Sequence, residues 1–139
     1  MTILPVLREG IPQELQRHDR WVLWQSQLRG NGLAKVPVRP NKRCVSVNNP
    51  DHWSDFDSVW NACQSGGFSG LGFCLAGDGL VFVDYDSAGD RLEPDDLGDL
   101  SVRGWTERSP SGNGLHTVVI ARKTVAGCRF KPQNSKIKE

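Results

Sequence analysis

Two aspartates stand two positions apart at the end of an apolar run, LVFVDYD, which covers residues 80–86. A run of this composition predicts a strand, and side chains two apart on a strand project from the same face. Asp84 and Asp86 would therefore repel each other, and Mg²⁺ or Mn²⁺ would relieve that repulsion by taking carboxylate oxygens as ligands. With a triphosphate present, the pair could hold two ions and align a hydroxyl with the α-phosphorus. The alternative is that the strand simply ends and its acids face water.

The second candidate is the segment ERSPSGNGLH, which covers residues 107–116. Gly112 and Gly114 permit backbone conformations closed to other residues, so that successive N–H groups could turn toward an anion. The Ser111 hydroxyl could add a donor, and His116 could donate to a phosphate oxygen at the start of the next strand. The alternative is a tight surface turn followed by a packed or hydrogen-bonded histidine.

A third candidate is Lys35, which has three more cations close behind it in the chain, Arg39, Lys42 and Arg43. One or more of them could meet a triphosphate or a template strand. A solvated hairpin edge protected by charge is the alternative. The tryptophans could stack on bases, although their spacing is also typical of core residues: Trp21, Trp24, Trp53, Trp60 and Trp105.

Local patterns predict the elements that must position these residues. Aromatic and β-branched runs at residues 21–25 and 35–38 flank a glycine turn and indicate a hairpin. Phe56, Val59, Trp60 and Cys63 follow helical spacing, with Ser54 as the predicted cap and Gly66-Gly67 as the predicted end.

The second half of the chain is predicted to be rich in strands. Two apolar runs, residues 70–75 and 80–86, flank a Gly-Asp-Gly turn and predict a second hairpin. Residues 105–108 and 115–120 are predicted strands. The acidic stretch 87–100 is expected to form a loop and a short helix.

Length and composition fit one ordinary globular domain of 139 residues with a net charge of +1. The charge is distributed unevenly: seven acids and one base lie between Asp84 and Asp99, and six bases and one acid lie between Arg122 and Glu139. An acidic middle and a basic end suit a protein that holds a cation in one place and a polyanion in another. Solvated surface charge is the alternative.

The cysteines and the lengths of the apolar runs indicate the cellular compartment in which the protein is expected. The four cysteines are Cys44, Cys63, Cys74 and Cys128. No two of them form a CxxC pair, which argues against a structural zinc site. No signal peptide or membrane-spanning run is predicted, so we expect a cytoplasmic protein with free thiols and no membrane partner.

Taken in order, five blocks resemble the phage- and plasmid-borne primase–polymerases of the archaeo-eukaryotic primase superfamily. The resemblance spans roughly residues 11–120 and involves the blocks IPQELQRHDRWVLWQ, AKVPVRP, NNPDHWSDFDSVWNA, GLGFCLAGDGLVFVDYD and ERSPSGNGLH. It implies an α+β fold in which a small N-terminal αβ unit packs on an antiparallel sheet resembling an RNA-recognition motif. Residues 1–139 would form one such domain, with 121–139 a basic, disordered tail or a truncated end.

The resemblance also implies an activity, namely metal-dependent nucleotidyl transfer of the DNA primase and polymerase type on a DNA template. Asp84 and Asp86 would hold Mg²⁺ or Mn²⁺. A nucleoside triphosphate would contact Ser111, Gly112, Gly114 and His116. Lys35 would also contact it, although this residue matches the family's motif less closely. A helicase module or other replication proteins would be partners.

One departure from the family pattern concerns a third acid, which in the family follows the histidine motif on a later strand. Here no acid occurs between Ile120 and Glu139, and Glu107 is the nearest substitute in sequence. Three interpretations stay open. The first is an enzyme domain whose third acid lies elsewhere, and the second is a catalytically incomplete module that binds nucleotide or nucleic acid. A generic α+β domain without a ligand is a third.

Overall fold

A computed structural model describes residues 3–85 and 104–120 of the chain. It confirms the α+β class, with two antiparallel three-stranded sheets in the orders β2-β1-β3 and β4-β6-β5. Asp86, the acidic stretch 87–100 and the basic end 121–139 lie outside the described residues. The elements are α1 (Gln13–Gln16), β1 (Trp21–Arg29), β2 (Gly32–Val38), α2 (Phe56–Ser65), β3 (Gly70–Phe73), β4 (Leu80–Tyr85), β5 (Trp105–Arg108) and β6 (Leu115–Ile120), with single 3₁₀ turns at Arg8–Gly10 and Pro50–His52.

The predicted hairpin of β1 and β2 is confirmed, and its strands are longer than the apolar runs alone indicate. Register partners run from Leu23 opposite Val38 to Arg29 opposite Gly32. Gly30 has a φ of 58° in the connecting turn, a conformation that glycine adopts without a steric penalty. The far half of the hairpin extends beyond β3, which pairs only with residues 21–24 of β1.

Helix α2 packs on the first sheet and buries Phe56 and Val59 there. The predicted cap, Ser54, is wrong: Asp55 is the cap residue, and its carboxylate accepts the Ser58 N–H at 2.9 Å. Ser54 is held in extended backbone because it exchanges two hydrogen bonds, of 2.9 and 2.8 Å, with Trp21. The predicted helix end is confirmed at Gly66, where φ is 94°.

The predicted second hairpin is wrong, because β3 and β4 belong to different sheets. Strand β3 pairs with β1, whereas β4 pairs with β6. The connection between them is held by Arg20, whose guanidinium donates to both carboxylate oxygens of Asp78 at 3.1 and 2.8 Å. The Arg20 side chain is only 8% exposed, so its charge needs a partner in place. A Gly-Asp-Gly sequence carries no information about that distant arginine.

The two sheets share one hydrophobic core. Phe73 of β3 stacks on Phe82 of β4 with ring centres 6.3 Å apart, and Val118 of β6 belongs to the same buried cluster as Leu23 of β1. The Trp105 indole N–H donates to the Gly10 carbonyl oxygen at 2.6 Å. No helix in residues 3–85 or 104–120 has the length and apolar character needed to cross a membrane.

Two leucines on β1 provide a matched test of this core. Leu23 is 0% exposed and Leu28 is 75% exposed. Leu23→Ala is expected to lower the free energy of unfolding by about 2–5 kcal/mol, since it leaves a cavity in the core. Leu28→Ala should change it by less than about 0.5 kcal/mol. Urea unfolding followed by tryptophan fluorescence measures both, and equal effects would contradict the described burial.

Candidate functional site

Three polar side chains form one row across the second sheet. Asp84 on β4 is the register partner of His116 on β6, and Glu107 on β5 is the partner of His116 on the other side. Side chains two residues apart on a strand lie on the same face of the sheet. The polar row therefore shares its face with an apolar row two residues further along each strand and packed in the core, which consists of Phe82, Val118 and Trp105. The candidate site therefore lies where the core meets solvent, on regular strands rather than on loops.

The His116 imidazole is held between the two acids. Its Nδ1 lies 3.0 Å from Glu107 Oε1, and its Nε2 lies 3.6 Å from Asp84 Oδ1. A carboxylate at Nδ1 keeps a proton on that nitrogen and sets the ring orientation. The Asp84 side chain is 60% exposed, against 22% for His116, so the Nε2 edge of the ring faces the open side of the row.

The charges around His116 favour its protonated form. The hydrogen bond that His116 donates to Glu107 raises the pKa of His116 most, and the negative charges of Glu107 and Asp84 raise it further. Burial and the positive charge of Lys35 act in the opposite direction without reversing the shift. A protonated imidazole beside an exposed carboxylate can donate to an anionic oxygen that approaches from solvent.

Lys35 is exposed on β2, and its ammonium lies 5.4 Å from the centre of the Trp24 ring. Its effect on the pKa of His116 shows that the fold brings this lysine within electrostatic reach of the row. The first hairpin and the second sheet thus contribute charges to the same region. Contact of Lys35 with a nucleotide stays a prediction.

The loop of residues 109–114 is closed by Ser109, which is buried. The Ser109 N–H donates to the Gly114 carbonyl at 2.9 Å, and the Ser109 carbonyl accepts the Gly112 N–H at 2.8 Å. The Ser109 hydroxyl accepts the Gly114 N–H at 3.0 Å and lies 3.2 Å from the Ser111 hydroxyl. Both glycine N–H groups are therefore used inside the loop in this conformation, and their predicted role toward an anion stays untested.

The two glycines are required by different constraints. Gly112 has a φ of 78°, which disfavours any residue with a Cβ. A Cβ at Gly114 would lie 2.7 Å from the Tyr85 carbonyl oxygen, so the close approach of the loop to the end of β4 needs a residue without a side chain. Glycine at this position thus lets the loop lie against the end of β4, next to Asp84.

Sequence reasoning assigned no role to Ser109 and considered Glu107 only as a substitute acid. The signal for the position of Glu107 was available, because two predicted strands around a short loop form a hairpin. Counting outward from the observed Arg108–Leu115 pair puts Glu107 opposite His116. Ser109 has no comparable signal, since its role depends on its burial against Gly114.

The residues that could hold a metal ion are described only in part. Within residues 3–85 and 104–120, no three His, Cys, Asp or Glu side chains are arranged to hold one. Asp84 offers an exposed carboxylate of the kind that Mg²⁺ and Mn²⁺ prefer, and its predicted companion Asp86 lies outside the described residues. Burial raises the pKa of the Cys74 thiol to about 11, so this cysteine is not a ready thiolate ligand.

Comparison with known proteins gives one informative relative. No protein-family model matches the chain. Over 115 residues the chain is 35% identical to the DNA primase-polymerase of Nitratiruptor phage NrS-1. The match covers 78% of this chain and 16% of the phage protein, so the chain spans about a sixth of that relative's length. This similarity supports a relationship between the chain and primase-polymerases.

The Glu107–His116 contact predicts a measurable titration. Glu107→Gln keeps an acceptor for the Nδ1 proton but removes the charge, so the pKa of His116 should fall toward or below its ordinary value of 6.5. Because the folded-state pKa is raised, the pair stabilises the fold fully below about pH 6.5 and loses that contribution as pH rises through the folded-state pKa. Imidazole NMR titration of the metal-free protein measures the shift, with His52 as an internal control. An unchanged pKa in the variant would contradict the contact.

Gly114 offers a second test, matched by a glycine at the start of β2. Gly114→Ala places a methyl group against the Tyr85 carbonyl and should lower the free energy of unfolding by about 1–3 kcal/mol. Gly32→Ala meets no atom within 4 Å and should have an effect below about 0.5 kcal/mol. Thermal unfolding followed by circular dichroism compares the two. A harmless Gly114→Ala would show that the loop does not press on β4.

Proposed function

We propose that this chain carries out metal-dependent nucleotidyl transfer of the primase and polymerase type, using nucleoside triphosphates on a DNA template. The observation that carries the proposal is the pairing of Asp84 with His116. These residues come from two sequence motifs about thirty positions apart, and the β4–β6 register puts their side chains 3.6 Å apart. The similarity to a phage DNA primase-polymerase supports the same activity.

Each residue of the site has a role in this proposal. Mg²⁺ or Mn²⁺, held by Asp84 and Asp86, would neutralise phosphate charge and lower the pKa of the attacking hydroxyl. His116 donates from Nε2 to a phosphate oxygen, with Glu107 holding the opposite nitrogen. The hydroxyl of a primer end or first nucleotide loses its proton to solvent and forms a bond to the α-phosphorus. The bond from that phosphorus to the bridging oxygen breaks, and pyrophosphate leaves.

The loop and Lys35 act on the same triphosphate in this scheme. Ser111 donates its hydroxyl, while Gly112 and Gly114 let the loop approach the phosphates closely. Lys35 adds a positive charge from the neighbouring hairpin. These contacts hold the nucleotide in place, and positioning together with charge neutralisation accounts for most of the catalysis in phosphoryl transfer.

A second candidate is a catalytically incomplete module that binds nucleotide or nucleic acid without transferring it. The hydrogen bond between Glu107 and His116 favours this alternative. Its carboxylate binds His116 Nδ1, on the side of the ring away from Asp84, so in this arrangement Glu107 does not serve as a third acid beside Asp84. A helicase module and other replication proteins stay predicted partners for either candidate.

Nucleotide binding is the first test. In a thermal-unfolding assay with a deoxynucleoside triphosphate and Mn²⁺, the wild-type chain should be stabilised, by about 2.7 kcal/mol when ligand reaches a hundred times its dissociation constant. Asp84→Asn should weaken that binding at least about tenfold. Asp19→Asn, which alters another exposed acid, is the control and should behave as wild type. Equal stabilisation of all three proteins would contradict the metal site.

Primer synthesis and extension with Mg²⁺ or Mn²⁺ separates the two candidates. Nucleotidyl transfer predicts product from the wild type and a loss on the order of a hundredfold in Asp84→Asn, comparable to removing one electrostatic group from an active site. Nucleotide binding without any product supports the binding module. Product that survives the combined Asp84→Asn and Asp86→Asn substitutions would contradict catalysis at this site.

A further inference from the structure

Residues 20–50 contain no acid, although the chain as a whole is nearly neutral. One of the six bases in this stretch, Arg20, is paired with Asp78. The remaining five bases are Arg29, Lys35, Arg39, Lys42 and Arg43. None of these five makes an ion pair with an acid in residues 3–85 or 104–120. Such a concentration of positive charge on one segment attracts a polyanion.

Residues 39–43, here called the basic turn, are held in a defined shape. The Lys42 N–H donates to the Arg39 carbonyl at 2.8 Å, and the Arg39 N–H donates to the Arg43 carbonyl at 3.0 Å. Lys42 has a φ of 64° and is the one non-glycine residue with a positive φ in the described part of the chain. Glycine or asparagine adopts this conformation at lower cost, so lysine at this position lowers local stability.

An open groove begins beside the basic turn. The Lys42 ammonium lies 5.8 Å from the centre of the Phe68 ring, and Phe68 lines a groove of about 400 Å³ together with Gln64, Ser69 and residues 3–6. This volume is in the range of small-ligand pockets. The lining combines apolar walls with a carboxamide and a hydroxyl, which could meet the polar edge of a base.

One wall of the groove contacts the loop of the candidate site. Leu4, in the wall of the groove, donates its N–H to the Pro110 carbonyl at 2.9 Å. A Cβ at Gly112 would lie 3.7 Å from the Leu4 side chain. Two residues of the groove lining, Phe68 and Leu4, therefore lie next to the basic turn and to the Ser109–Gly114 loop respectively.

We propose that the basic turn and this groove form a subsite for single-stranded nucleic acid. Lys42 and Arg43 bind backbone phosphates, and a base packs against Phe68 in the groove. Cations beside an aromatic ring are the combination by which proteins bind single strands without sequence preference. Phe68 is half-buried, and it contributes its ring to the lining of the groove. The inference rests on the proposed function for the identity of the polyanion, but the subsite is separate from Asp84 and His116.

The charge contribution is tested with Lys42→Asn and Arg43→Gln together. Asparagine suits the left-handed backbone at position 42, so the turn should survive, and thermal unfolding checks the fold. Fluorescence anisotropy with a labelled single-stranded oligodeoxynucleotide over a range of KCl concentrations should show at least about tenfold weaker binding at low salt. The slope of log affinity against log salt should shrink by about 1.4, since each phosphate that the variant no longer neutralises accounts for about 0.7.

Arg17→Gln removes an exposed cation outside the acid-free segment and serves as the charge control. It should leave both the affinity and the salt slope close to those of the wild type. Unchanged binding in the double variant, or an equal loss in Arg17→Gln, would overturn the subsite.

The base contact is tested with Phe68→Leu, which keeps an apolar side chain but removes the ring. It should weaken single-strand binding about tenfold and leave the salt slope unchanged, because the same number of phosphates stays neutralised. Equal affinity of Phe68→Leu and wild type for the single strand would overturn the stacking contact.

Two crossed measurements keep this inference distinct from the proposed function. The Lys42→Asn and Arg43→Gln variant should retain its stabilisation by nucleotide and Mn²⁺, and Asp84→Asn should retain its affinity for the single strand. Loss of nucleotide binding in the first variant would contradict a separate subsite. Loss of nucleotide binding in Asp84→Asn alone would leave the subsite standing whatever the outcome for catalysis.

Discussion

Arg20 is buried, and its guanidinium binds both carboxylate oxygens of Asp78 while it packs 4.9 Å from the centre of the Phe73 ring. A charge in that position is tolerated only with a partner, because the unpaired ion would bear the full cost of leaving water. The pair holds the β3–β4 connection at the base of β1. After this connection the chain leaves the first sheet, and β4 pairs with β6 instead of folding back on β3.

The candidate site follows from that change of partner. Once β4 pairs with β6, antiparallel register puts Asp84 beside His116, and the β5–β6 hairpin adds Glu107 on the other side. The apolar row of Phe82, Val118 and Trp105 lies one step deeper on the same face and anchors the strands in the core. Polar groups on regular strands above a packed row have little freedom to move, which suits a site that works by positioning.

Features that depend on near neighbours were predicted well. The β1–β2 hairpin, the body and the end of α2, and the strands β5 and β6 all follow from apolar spacing and glycine turns. Ser54 was the wrong cap because a bridge to Trp21 keeps it extended, and no local pattern reports that bridge. The β3–β4 hairpin failed for the same kind of reason, since its two apolar runs suit many partners equally well.

By itself, the sequence determined which side chains could do chemistry and which local elements carry them, because periodicity, capping and turn preferences act over a few residues. It also placed six cations in one acid-free stretch. The tertiary structure alone decided that Asp84 lies beside His116 and that Leu4 joins a groove to the loop at Pro110. Strand partners are selected by packing and by the pairing of buried charge across the whole chain, and neither is encoded in any single segment.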